Sequence, residues 1–269
     1  MIELYHFGFS TCSQKVRLAL AEKGQTFVSH EVNIVTGEQN DPEYVKLNPK
    51  HVVPTLIHDG HVLNESSLII QYLDDAFAEP QLRPADALGR YEVDAWTKHV
   101  DDALHPAAPT VTFAIGARKV MLAQPDEVRE AGINGIQDPV ERATRRSVLD
   151  HGVKAPEFAG ALGVFIDTID RMEFELSQSP WLSGGSLGLA DISIIPYVLR
   201  IEHMGMDPLL DAGVRPHVSD WLSRFKARPS FEVAVGAWTP APVVAAMRAD
   251  GHAIWADIEP IAMAHSAAA

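Results

Sequence analysis

The sequence predicts a small mixed α/β domain followed by an all-helical one. Two observations carry that expectation. Over residues 1–80, strand-like runs alternate with helical spacing in the order strand, helix, strand, helix, hairpin, helix, which fits a small sheet with helices on both faces. Beyond the link "EPQLRPADALG" (79–89), punctuated by Pro80, Pro84 and Gly89, nearly every stretch reads as helix. The expected layout is residues 1–80, then residues 88–235, then a C-terminal extension over 236–269.

Each element has its own warrant. "IELYHF" (2–7) has β-branched and aromatic strand content and stops at Gly8. From Thr11 to Lys23, Val16, Ala19 and Leu20 recur at helical spacing, and Gly24 stands where a helix-ending glycine belongs. "TFVSHEVNI" (26–34) alternates as a half-buried strand does, and "PEYVKLN" (42–48) reads as a short helix. "VVPTLIHDGHVL" (52–63) is two short strands around an Asp-Gly turn. "ESSLIIQYLDDAF" (65–77) is an amphipathic helix with Leu68, Tyr72 and Leu73 on one side. The charged stretch 117–156 reads as an exposed helical hairpin or an extended loop. "LADISIIPYVLRIEHMG" (189–205) reads as a buried helix with Pro196 inside it, and the tail from 236 as a final helix or a fraying end.

Composition excludes several function classes. No apolar run reaches the roughly 18–20 residues that span a bilayer, and the N-terminus lacks the basic and apolar regions of a signal peptide. A single cysteine, Cys12, rules out an internal disulfide framework and a multi-cysteine metal site, and it suits a reducing cytosol. Twelve histidines show no metal-ligand spacing, so no metal is expected. A formal charge of −14 argues against nucleic acid or an anionic membrane as partner, because both are bound by neutralising phosphates with Lys and Arg.

The turn "FGFSTCSQ" (7–14) places Ser10 just before a helix, where backbone N–H groups and the helix dipole favour negative charge. A thiol with a pKa near ~8.5 in water falls markedly in such a place. Ser10 is therefore either a hydroxyl that donates to a thiolate or a plain helix cap, and Thr11 or Ser13 would replace it if the loop were shifted. Cys12 would gain thiolate character if exposed and is an inert small hydrophobe if buried; the buried or auxiliary role is preferred. Ser66, opening the third helix after Glu65, offers a hydroxyl and an N–H to a carboxylate.

Four linked motifs, "STCSQKVRL" (10–18), "NPKHVVPTL" (48–56), "NESSLIIQYL" (64–73) and "SLGLADIS" (186–193), resemble those of the glutathione S-transferase superfamily in order and spacing. The resemblance covers roughly residues 2–232. It implies a thioredoxin-like N-terminal domain that binds glutathione, followed by an all-α domain with the acceptor pocket. The first motif is similar to that of hydroquinone reductive dehalogenases and zeta-type enzymes. The stretch "LRPADALGRYEVDAWTKHVDD" (82–102) and the charged insertion are similar to bacterial β-aryl etherases.

In relatives with a catalytic cysteine at the first position of the turn, that position corresponds to Ser10, so the resemblance implies a serine-type transferase. It also implies a cis Val53–Pro54 bond that presents the Val53 backbone to the cysteinyl part of glutathione. Glu65 and Ser66 would meet its γ-glutamyl group, while Lys50, His51 and, more weakly, Gln39 and Asn40 would meet its glycyl carboxylate. Relatives carry Ser or Thr where Gly188 stands, so the reciprocal cap with Asp191 is expected to be broken. The implied acceptor is a small hydrophobic electrophile, in a pocket between the domains with Phe9, His105, Pro106, Phe113 and Tyr197 as candidates. The implied protein is a cytoplasmic homodimer with glutathione as cosubstrate and no metal. A reductive dehalogenase using Cys12 and a non-catalytic glutathione-binding protein stand as alternatives.

Overall fold

The computed structural model describes residues 1–268; Ala269, the last residue of the expected extension, lies outside the described residues. Along the chain run β1 (Ile2–His6), α1 (Thr11–Glu22), β2 (Val28–Glu31), α2 (Pro42–Leu47), β3 (Thr55–His58), β4 (His61–Leu63) and α3 (Ser66–Ala76). There follow α4 (Ala87–His99), α5 (His105–Thr112), α6 (Arg118–Leu122), α7 (Asp126–Asn134), α8 (Pro139–His151) and α9 (Pro156–Leu176). The last helices are α10 (Leu189–His203), α11 (Pro216–Lys226), α12 (Pro229–Ala234), α13 (Ala241–Ala253) and α14 (Trp255–Ala268). The chain forms two compact units that interleave in sequence. The first holds Met1–Lys98, Gln178–Pro196 and Asp220–Pro240; the second holds His99–Ser177, Tyr197–Ser219 and the chain from Ala241.

In the first unit the strands lie in the order β2-β1-β3-β4, with β1 parallel to β2 and antiparallel to β3. The hairpin from β3 to β4 turns through Asp59 (φ 49°) and Gly60 (φ 84°), two left-handed residues of the kind an Asp-Gly turn supplies. Leu4, Val16, Leu18, Leu20, Leu56, Ile69, Ile70 and Leu73 are buried and form the apolar interior. Fully burying one such side chain is worth about 1.5–3 kcal/mol.

Two expectations need correction here. The second strand is shorter than 26–34 and mostly exposed: β2 is an edge strand, so it lacks a neighbour on one side, and the buried residue of the stretch is Val32 just beyond it. In α3 the buried stripe is Ser66, Ser67, Ile69, Ile70, Leu73 and Asp74, while Leu68 is exposed. Polar residues take the inner face because they have partners there. Lys23 Nζ, itself buried, meets Asp74 Oδ1 at 2.6 Å and donates to the carbonyls of Phe77 and Pro80. Asp74 also accepts from Leu82 N and Arg83 Nε. This network ties the ends of α1 and α3 to the link that follows them.

Asp191 keeps its structural role, and the reciprocal side-chain bond from position 188 is absent as expected. It is fully buried and accepts from the N–H groups of Leu182, Ser183 and Gly188 and from Trp221 Nε1 at 2.8 Å. Burial pushes its carboxyl pKa up against the pull of those donors. The hydroxyl missing at Gly188 is replaced: Ser183 Oγ accepts from Ala190 N at 3.1 Å in the first turn of α10. A Cβ at position 188 would lie 2.7 Å from Ser183 Oγ, so glycine there and serine five residues earlier belong to one device. The cap is rebuilt from another residue rather than lost.

The second unit is helical throughout. The π-helical turn Val100–Leu104 precedes α5, whose Pro106 carries no N–H; widening the turn relieves the clash of the proline ring with the carbonyl four residues back. Residues 117–156 hold α6, α7 and α8 with short links between them, and α7 and α8 are joined by a bidentate Arg146–Glu130 pair at 2.6 Å. The tail forms α13 and α14, and His265 of α14 lies 2.6 Å from Asp167 of α9. Phe113 and Tyr197 are buried core side chains, whereas His105 and Pro106 are exposed.

Candidate active site

The site begins at the N-terminus of α1. Ser10 is the cap residue, with extended backbone (φ −68°, ψ 121°) and its Oγ accepting from Ser13 N at 3.2 Å. An accepting hydroxyl still has its proton to give, so the cap role and a donor role are compatible. The first turn of α1 contains no acidic residue, which leaves the positive end of the helix dipole unopposed. Cys12, in the first turn of α1, is half-buried. The approach to Ser10 is held locally: Phe7 O accepts from Ser10 N, and Phe7 N donates to Ser13 Oγ.

The second part is the Val53 turn. The Val53–Pro54 peptide bond is cis, as the resemblance implies, and so is Glu79–Pro80, which nothing in the sequence reading singled out. Val53 is buried in a cluster with Val32 and Tyr44, against which Tyr5, Phe7 and Leu47 pack. Phe7 thereby places the Ser10 turn beside the Val53 turn.

A polar network fixes this second turn. Tyr44 Oη donates to Val52 O at 2.6 Å, and Asn48 Nδ2 donates to the same oxygen at 2.8 Å. Thr55 Oγ1 donates to Asn64 Oδ1, and Asn64 Nδ2 donates to Leu47 O. Burial raises the Tyr44 phenol pKa, so it stays a donor at neutral pH. None of Tyr44, Asn48, Thr55 or Asn64 was picked out as a site residue. The available signal was that Asn48 and Asn64 open the two motifs that hold the site.

The third part is the N-terminus of α3. Glu65 has φ 68° and ψ 102°, a left-handed position that a non-glycine residue occupies at a cost. The side chain of Glu65, in the cap position, makes no capping bond to α3, and the first turn holds no acid. Ser66 is buried at that end. Lys50 Nζ pairs with Glu65 Oε1 at 2.7 Å, both exposed, and His51 Nδ1 donates to Asn40 Oδ1 at 3.0 Å. Gln39, beside Asn40, has a buried Oε1 without a hydrogen-bond partner among the described residues. Residues 39–40, 50–54 and 64–66 thus meet in one cluster. Lys15 of α1, fully buried, donates to Ser67 Oγ at 3.0 Å and links that cluster back to the helix that Ser10 opens.

A cavity of about 830 Å³ lies between β2 and α2, lined by Tyr5, His30, Glu31, Glu38, Asp41 and Tyr44 among others. Neither Ser10 nor residues 50–66 line it, and its carboxylates would repel an anionic peptide. It borders the site through Asn40 and Tyr44, which line it, but holds neither Ser10 nor the Val53 turn. Among the described residues no group of three or more His, Cys, Asp or Glu side chains is placed to hold a metal, and no helix is long and apolar enough to cross a membrane.

A small mixed sheet carrying two helix N-termini and the Val53–Pro54 turn is the arrangement the resemblance implies, and comparison with known proteins identifies the family. Residues 4–81 match the family described as glutathione S-transferase, N-terminal domain, and residues 148–224 match glutathione S-transferase, C-terminal domain. The chain belongs to the glutathione S-transferase family and is a glutathione transferase-type enzyme with glutathione as cosubstrate.

Among its relatives is Protein LigF of Sphingobium sp. (strain NBRC 103272 / SYK-6), 31% identical over 86% of this chain and 91% of LigF. The crystal structure of beta-etherase LigF from that strain matches with a TM-score of 0.77 at 30% identity, over 88% of this chain and 99% of that one. The tetrachloro-p-hydroquinone reductive dehalogenase of Sphingobium chlorophenolicum is 26% identical over 87% of this chain and 95% of the relative. With the enzyme class settled, the binding-only alternative falls away.

Proposed function

We propose that Ser10 donates a hydrogen bond to the thiolate of bound glutathione, and that this thiolate attacks an electrophilic carbon of a small aromatic substrate, a β-aryl ether first among them. The observation that carries the reading is the pairing of a Ser10-capped α1, free of acid in its first turn, with an α3 whose cap residue, Glu65, makes no side-chain capping bond. The γ-glutamyl carboxylate would supply the missing cap at Ser66, its ammonium would meet Glu65, and Lys50 and His51 would face the glycyl end. The Val53 backbone would pair with the cysteinyl peptide.

In the reaction a carbon–sulfur bond forms as the carbon–oxygen bond to the aryl group breaks, and the phenolate leaves to take a proton from water. Proximity and a thiolate ready at neutral pH supply the rate. The similarity to LigF favours the ether; the similarity to the dehalogenase, together with half-buried Cys12, supports a second reading in which Cys12 resolves a glutathionylated aromatic. A homodimer in the cytoplasm completes the proposal, and a solution mass of twice that of the chain would support it.

The test is incubation with glutathione and either a model β-aryl ether or a halogenated hydroquinone. A glutathione thioether and free phenol, formed equally by Cys12→Ala, support the etherase reading. Halide release that ends in dehalogenated hydroquinone and glutathione disulfide in wild type, but stops at the glutathionyl hydroquinone in Cys12→Ala, supports the second. Neither product would leave the acceptor class wrong.

A further inference from the structure

Arg17 is a cation in an unusual place. It sits in α1, two turns after Ser10, with 1% of its surface exposed, and its hydrogen-bond partners are neutral. Its Nη1 donates to Phe7 O at 3.2 Å and to His6 Nδ1 at 3.0 Å, its Nη2 to Gly8 O at 2.8 Å, and its Nε to Ala234 O at 2.7 Å. The guanidinium also lies over the Trp238 ring, 5.3 Å from its centroid.

Apart from the bond to His6, each contact falls on one of two segments. Phe7 and Gly8 are the residues that lead into Ser10, and Ala234–Trp238 is the stretch that follows α12. The two segments also touch directly: a Cβ on Gly8 would collide with the Trp238 carbonyl, and the Trp238 ring meets His6 edge-on at 4.6 Å. His6 completes the arrangement. A guanidinium can only donate, so His6 Nδ1 accepts, its proton sits on Nε2, and that N–H donates to Ser29 Oγ at 2.8 Å. Burial, then Arg17, pushes the His6 pKa down to about 4, so the ring is neutral and adds no charge. Burial lowers the Arg17 pKa to about 9, opposed by Glu31, the acid that acts on it across the sheet; Arg17 is therefore charged at neutral pH.

We propose that Arg17 is a positioning residue for glutathione activation: it fastens the Phe7–Gly8 turn to the Ala234–Trp238 segment and sets a buried cation behind the turn from which Ser10 meets the thiolate. A buried charge without a carboxylate bonded to it is costly. Spending it on two consecutive carbonyls of the catalytic turn fixes the direction of the peptides that lead to Ser10, and it biases that turn towards a negative ligand. The inference rests on the Ser10 reading above.

The test titrates the thiolate absorbance of bound glutathione, at saturating glutathione, in wild type, Arg17→Lys and Arg17→Met. The expected result is a bound thiol that titrates about one pKa unit or more higher in Arg17→Met, which lowers kcat about tenfold below that pKa and lets it recover at high pH. KM for glutathione should change by less than about threefold, because the γ-glutamyl and glycyl contacts lie elsewhere. Arg17→Lys, which keeps the charge but not the four-way bonding, should fall between.

A merely structural arginine would leave the bound thiol of Arg17→Met titrating with wild type, and that result overturns the inference while the Ser10 reading stands. A wild-type complex whose thiol titrates as free glutathione does overturns both. Should Arg17→Met fail to fold, Trp238→Leu removes the ring over the guanidinium without touching the charge. A smaller rise in the same direction supports the clasp, and no rise contradicts it.

Discussion

The N-termini of α1 and α3 are built in opposite ways. At α1 the chain supplies its own cap: Ser10 sits in extended backbone and its hydroxyl accepts from Ser13 N. At α3 the residue in the cap position is Glu65, twisted to φ 68°, and its side chain makes no capping bond. A helix end ordinarily gains about 1 kcal/mol from a Ser, Thr, Asp or Asn cap. Leaving α3 without one, on a strained residue, makes sense if a ligand carboxylate completes it. One end is finished and presents a hydroxyl; the other is left open and presents N–H groups.

Removing the finished cap should have the largest effect. Ser10→Ala is expected to lower kcat/KM by about 100-fold, the range seen when a single donor to a developing anion is lost. It should also cost about 1 kcal/mol of stability through the lost α1 cap. Steady-state kinetics and a urea melt read the two effects separately. At the open end, Ser66→Ala should raise KM for glutathione about tenfold, as loss of a hydrogen bond to a charged group does, with kcat little changed. Stability should hardly move, because Ser66 is the first helical residue of α3 rather than its cap residue. A melt as damaged as that of Ser10→Ala would break the comparison.

The two ends should also separate with pH, since His6 lies behind only one of them. Its folded pKa is about 4 against 6.5 for the free side chain. The unfolded chain therefore takes up the proton first as pH falls, and stability is lost between about 6.5 and 4, with no further loss from this group below that. The size is on the order of 1 kcal/mol after allowance for solvent screening. His6→Gln should flatten that part of the stability–pH curve. The smallest effect concerns strain: Glu65→Gly should stabilise the free protein by a few tenths of a kcal/mol up to about 1, since glycine accepts positive φ while costing some unfolded-state entropy. It should weaken glutathione binding nonetheless. Stability and affinity moving together would mean that the twist at Glu65 serves packing alone.

The finished end was legible in the sequence, and the support beneath both ends was not. Ser10 before an amphipathic helix, Val53–Pro54 and Glu65–Ser66 are local patterns, so motif and spacing lead straight to them. Arg17, Lys23, Asn48, Asn64 and Asp74 are polar residues that periodicity assigns to a solvated face. Arg17 and Lys23 are buried because of partners distant in sequence, Ala234 and Asp74, while buried Asn48 and half-buried Asn64 both meet Thr55, a side chain that neither motif marks. Leu68 fails for the same reason in reverse. Ser66, Ser67 and Asp74 occupy the inner face of α3 and turn that leucine outward. Ser183 in place of a hydroxyl at Gly188 is the same lesson again, because a cap can come from a residue that no local motif contains.

The most direct test of the central claim is the ultraviolet thiolate absorbance of glutathione bound to wild type, Ser10→Ala and Cys12→Ala, followed across pH. The account predicts a bound thiol titrating well below free glutathione in wild type and in Cys12→Ala, and returning towards the free value in Ser10→Ala. A depressed thiol pKa that survives in Ser10→Ala would contradict it, and would leave Ser10 as the cap of a helix and nothing more.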